Sequence, residues 1–141
     1  MYWKKSKYAV TEKKAMEAAA CSKFMNVLNG AGGCAFGAQI GVDRVPVFEW
    51  INAATGWNKT PEEYMAIGKR LQTLKQAFNV KHGIDPKSTK PNPRALGMPA
   101  MTEGANKNRT VEIDRMIEDY WRQFNWNTDT GRPSEAMMEF K

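Results

Sequence analysis

Little of the usual equipment for catalysis is present in this 141-residue chain, which has two cysteines and one histidine. Two cysteines exclude a disulfide framework of the kind that small secreted folds rely on. The lone histidine, His82, stands beside Gly83 near a helix end, and a general base needs a positioned partner that the sequence does not offer. No Gly-Lys-Ser/Thr follows the glycine-rich stretch at residues 30–41, which excludes a nucleotide phosphate loop. That stretch reads as a bend or connector. No apolar run approaches the roughly 20 residues of a membrane span, and the charged, aromatic start lacks the apolar core of a secretory leader. The expected setting is therefore soluble and cytoplasmic, with reduced thiols and no membrane partner.

What is abundant is Met, Trp and positive charge. Nine Met and five Trp suit a core or a buried surface shared between elements or subunits. With 42% hydrophobic residues the chain can bury one sizeable core. Lys and Arg exceed Asp and Glu, 21 against 15, for a net charge of +6. Outside the cluster Lys4, Lys5, Lys7, Lys13 and Lys14 the cations are scattered, and no nucleic-acid motif accompanies them. The charge is read as a solvated surface, with no nucleic-acid partner.

Periodicity predicts an all-α fold: one irregular domain of four to six helices, interrupted by a long Pro-rich loop. A first helix is expected over residues 12–28, capped by Thr11, with Met16, Ala20, Phe24, Val27 and Leu28 on its apolar face. A second follows over 46–55, with Pro46 in its first turn and Gly56 as its stop. Thr60-Pro61-Glu62-Glu63 opens a third with a capping box, and Tyr64, Ile67, Leu71, Leu74 and Phe78 form its stripe. Gly68 within it suits close packing by a neighbour. Residues 84–108 carry Pro86, Pro91, Pro93 and Pro99 and are expected to be irregular. A loop of that length suits a segment lying against a larger body. Thr110 is expected to cap a fourth helix bearing Ile113, Met116, Ile117, Tyr120, Trp121 and Phe124, and Pro133-Ser134-Glu135 to start a last short one. Tyr2, Trp3 and Tyr8 are too apolar for a free tail. Residues 1–11 are read as an N-terminal extension and 12–141 as the helical domain.

One ordered series of short motifs is distinctive. Asn52-Ala53-Ala54-Thr55-Gly56-Trp57 runs into Thr60-Pro61-Glu62-Glu63, then Ile67-Gly68-Lys69-Arg70 and Leu74-Lys75-Gln76-Ala77-Phe78-Asn79. Pro93-Arg94, Glu103-Gly104, Tyr120-Trp121, Trp126, Thr130-Gly131 and Pro133 follow in order. The series resembles the C-terminal region of the tungsten-containing aldehyde ferredoxin oxidoreductases. That family pattern is N-A-x-T-G-W, T-x-E-E, I-G-x-R and L-x-R-x-F-N.

The resemblance implies a large oxidoreductase in which two pterins hold tungsten beside a [4Fe–4S] cluster, aldehydes are oxidised and ferredoxin takes the electrons. It implies that three cluster cysteines lie far upstream and that the fourth falls in a D-x-x-G-x-C motif. Cys21 stands where that fourth cysteine would fall, ahead of Lys23-Phe24. Met16 occupies the Asp position and Ala19 the Gly position. From spacing alone Cys21 and Cys34 are small buried hydrophobes, since a four-iron cluster wants four thiolates. The resemblance turns Cys21 into a cluster ligand and cofactor contact. The cofactor site would then be completed by the remainder of the oxidoreductase, and the chain alone would be inactive. The alternative is a non-catalytic helical interaction module derived from the family, which Met16 and Ala19 favour.

Overall fold

The structure, a computed structural model, describes residues 9–37 and 45–138. Tyr2, Trp3 and Tyr8, most of the extension at 1–11, and Gly41 of the glycine-rich stretch lie outside the described residues. The elements are α1 (Glu12–Gly30), α2 (Val47–Thr55), α3 (Pro61–Lys81), a 3-10 turn (Pro93–Leu96), α4 (Ile113–Gln123) and α5 (Glu135–Met138). Among the described residues no strand forms, and one isolated bridge joins Met101 to Lys107. The fold is all-α.

Local chemistry sets the start of α3 and the corner before it. At the start of α3 the Thr60 hydroxyl accepts from the Glu63 N–H at 3.3 Å, and the Glu63 carboxylate accepts from the Thr60 N–H at 2.8 Å. Both otherwise unpaired donors are satisfied, with Pro61 in the first turn. The α2–α3 corner is organised by Asn52. Its amide donates to the Lys59 carbonyl at 2.9 Å, and its oxygen accepts from the Lys59 N–H at 3.1 Å and the Tyr64 hydroxyl at 2.6 Å. Gly56 takes the left-handed conformation there, at φ +73°, as the corner requires.

Two expected caps are not made. Thr11 stands at the N-cap of α1, but its hydroxyl makes no capping bond. The fourth helix starts at Ile113, beyond Thr110, with Glu112 at the cap, its side chain making no capping bond. The cause is tertiary: the Val111 N–H donates to the Leu96 carbonyl at 3.0 Å, which holds that residue against the 3-10 turn.

Helix α1 packs along both α3 and α4, and α5 lies against α3. One core is aromatic: Trp121, Phe124 and Trp126 close over Ala19, with Ile117, Tyr120 and Met137 around them. The Trp126 indole N–H donates to the Thr73 hydroxyl at 3.2 Å, and the Gln76 amide donates to the Gly131 carbonyl at 2.8 Å, joining the C-terminal turn to α3. A second core seats Leu28 and Val47 among Phe24, Phe48 and Ile51. There Phe48 stacks on Tyr64 with ring centroids 5.0 Å apart.

The buried faces match the expected stripes in part: Val27, Leu28 and Tyr64 are buried, but other positions differ. Met16 is 54% exposed, while Ala15 and Ala19 are buried. Leu74 and Phe78 are 41% and 61% exposed, while Gly68, Thr73 and Ala77 are buried. Small residues face inward because the partners bring the bulk. A Cβ on Gly68 would sit 2.1 Å from the Lys23 carbonyl oxygen, so α1 and α3 cross there nearly backbone to backbone.

Candidate functional site

Cys21 lies midway along α1 and is exposed. Ala18 and Ala20 beside it are exposed too, so no bulky neighbour on that stretch covers the thiol. The adjoining residue, Ser22, turns into the helix interface. Its hydroxyl donates to the Ala18 carbonyl at 2.9 Å and accepts from the Tyr120 hydroxyl at 2.9 Å. One turn on, the Asn26 amide donates to the Ser22 carbonyl at 2.9 Å and to the Gln72 side chain at 2.8 Å, and the Lys75 ammonium donates to Asn26. The turn of helix carrying Cys21 is thus pinned to both α3 and α4.

Burial dominates the electrostatics here. It pushes the Tyr120 hydroxyl above its ordinary range, with the nearby Cys21 adding to the rise, so the phenol stays a donor to Ser22. Lys23 sits with its ammonium 5.3 Å from the Phe124 ring centroid. Its burial, and then the neighbouring Lys69 charge, lower its affinity for a proton.

The two motif departures differ in place. Met16 is on the surface, whereas the Ala19 methyl is seated in the aromatic core, 1% exposed. Cys34, like Cys21, is exposed, contrary to the spacing-based expectation that both thiols are buried. The backbone N–H groups of Gly37 and Phe36 lower its thiol pKa. Among the described residues no group of three or more His, Cys, Asp or Glu could hold a metal ion. A four-iron cluster takes four thiolates, so an exposed Cys21 would suit one ligand of a cluster whose other ligands come from elsewhere. His82 packs on Phe78 with ring centroids 4.2 Å apart and caps the end of α3.

Periodicity did not anticipate two open hollows of about 440 and 370 Å³ around α2, which share Ala31, Ile51 and Ala54 in their linings. The available signal was the pair Trp50 and Trp57, one within α2 and one just past it. No described helix is long and apolar enough to cross a membrane.

Comparison with known proteins gives the frame for these features. The family described as aldehyde ferredoxin oxidoreductase, domains 2 & 3, matches residues 2–140. Tungsten-containing aldehyde ferredoxin oxidoreductases from Pyrococcus furiosus, Pyrococcus abyssi and Pyrococcus horikoshii are 33%, 32% and 31% identical over 113 residues. Each match covers 80% of this chain and 18% of the relative, so the chain spans under a fifth of the length of these relatives. No solved structure matches. With residues 2–140 of the chain matched by the family, and the corner, cap and close-crossing motifs each in structural use, the chain belongs to the aldehyde ferredoxin oxidoreductase family.

Proposed function

We propose that this chain is the C-terminal helical segment of a tungstopterin, iron–sulfur oxidoreductase, and that Cys21 gives one thiolate to a [4Fe–4S] cluster completed by the rest of the enzyme. The whole enzyme would oxidise aldehydes and pass the electrons to ferredoxin. The observation that carries the reading is Cys21 itself: an exposed thiol among alanines, on a helix turn fixed by Ser22, Asn26 and Tyr120, in a chain matched over residues 2–140. A thiolate neutralises cluster charge and binds iron, and small neighbours leave room for a bulky inorganic group. The bound cluster would supply one-electron transfer. This chain's part is to hold the Cys21 sulfur at a fixed place on α1.

The test is Cys21→Ser in the reconstituted assembly. Iron content and the broad thiolate–iron absorbance should fall, with helical content unchanged because Cys21 is exposed. Unchanged iron and absorbance would overturn ligation by Cys21 and favour an interaction module. The chain alone should not oxidise aldehydes with added acceptor dyes, and turnover by the purified chain would refute the assignment as an incomplete segment.

A further inference from the structure

Two apolar hollows lie side by side where the C-terminal end of α1 meets α2 and α3, with Leu28, Val47 and Trp50 on one and Leu71 and Trp57 on the other. Ile51 is common to both. Among the described residues no charged side chain lines either hollow, in a chain that is 26% charged. At their rims Trp50 is 59% exposed and Trp57 50% exposed, and Phe36, in the adjoining segment, is 77% exposed. Single exposed hydrophobes are ordinary, but large aromatics gathered around concave apolar floors mark a surface that another body covers. Aromatic anchors with a charge-depleted centre are the composition of an interface core.

We infer that this face docks the part of the oxidoreductase that the chain does not span, an inference that rests on the function proposed above. Two observations name the occupant. The matching family comprises domains 2 & 3, which leaves a further domain outside the match, and the matched segment is 18% of the relatives' length. The surface chemistry agrees. An uncharged hollow accepts apolar side chains of a folded partner, whereas a nucleic acid would require cations at the contact. Trp50 and Trp57 act as anchors beside the hollows, and apolar side chains of the partner fill them.

The decisive experiment places a photo-crosslinking benzoylphenylalanine at position 50, 57 or 13 of the chain in its source cells. Position 13 is a control, since Lys13 lies near the opposite end of α1, roughly 20 Å from Leu28 by helix rise. Crosslinked peptides are identified by mass spectrometry, which reads a link within one polypeptide or between two. Positions 50 and 57 should link to peptides of the oxidoreductase outside the matched segment. Where that part is a separate polypeptide, the double variant Trp50→Glu/Trp57→Glu should lower its co-purification at least about tenfold, and where it is the same polypeptide the double variant should raise the rate of limited proteolysis between the two parts by a similar factor. The double variant's circular dichroism should match that of the parent, because both side chains are exposed. Links from position 13 alone would overturn the docking face while leaving the assembly intact. Links from 50 and 57 to a second copy only would overturn it in favour of self-association. Capture of no oxidoreductase peptide from any position would remove the assembly itself. Flotation with phosphatidylglycerol vesicles that the double variant abolishes would replace the protein partner with a membrane surface.

Discussion

Gly68 is the residue on which the α1–α3 crossing depends. A Cβ there would meet the Lys23 carbonyl oxygen at 2.1 Å, and a backbone atom cannot swing aside as a side-chain tip can. Gly68→Ala should therefore destabilise the chain by about 1–3 kcal/mol or more, although alanine is the better helix former by about 1 kcal/mol. Urea denaturation followed by circular dichroism reads the sign, and a stabilised variant would contradict the crossing. The glycine's packing role was legible as a small residue inside an apolar stripe. That its neighbour would be the Lys23 backbone was not, because contacts between distant residues leave no local pattern. Asn52 was similarly half-legible. Its place in a recognisable motif was plain, but its three bonds to Lys59 and Tyr64 exist only once α2 and α3 meet.

At the scale of elements, the start of α3 is closed by side-chain chemistry from both directions. Thr60→Ala removes the acceptor for the Glu63 N–H and should cost about 1 kcal/mol, read as a fall in denaturation midpoint. Thr11→Ala at the head of α1 should cost much less, since Thr11 makes no capping bond. Equal losses at the two sites would contradict the assignment. The contrast shows which signals travel. A capping box is complete within four residues, so α3 starts where its sequence says. The α4 start was misplaced because Val111 is held by Leu96, from a turn some fifteen residues earlier in the chain. The stripes on α1 and α3 were legible only in part, for a related reason. Val27, Leu28 and Tyr64 are buried as expected, while Met16, Leu74 and Phe78 are exposed. Periodicity finds the large apolar residues, but here Ala19, Gly68, Thr73 and Ala77 face inward to admit aromatic rings and a backbone, leaving Leu74 and Phe78 outside.

The molecule as a whole depends on two phenols that bridge helices, Tyr64 buried and Tyr120 half-buried. Tyr64 joins α3 to α2 through Asn52, and Tyr120 joins α4 to α1 through Ser22. Burial raises both above the ordinary 10.0, with the Glu63 charge adding at Tyr64. For an acid whose folded-state pKa is raised, the protonated form is favoured in the fold. Its stabilisation is fully present below about pH 10 and is lost as pH rises through the folded value. The chain should lose stability in the alkaline range, and tyrosinate absorbance should rise together with loss of helix. Tyr64→Phe should reduce the slope of stability against pH there, and an unchanged slope would exclude Tyr64 as a contributor. The large exposed apolar rim around α2 belongs to this scale too, since no single element contains it.

The helical class, the capping box, the Gly56 stop and family membership were all settled by residues close together in sequence. They depend on short-range backbone and side-chain preferences that each segment carries by itself. The inward faces of α1 and α3, the delayed start of α4, the exposure of both thiols and the paired hollows beside Trp50 and Trp57 were decided by the tertiary structure. Each depends on what a residue meets across the chain. An alanine or a glycine becomes core only when a distant tryptophan or carbonyl arrives to cover it.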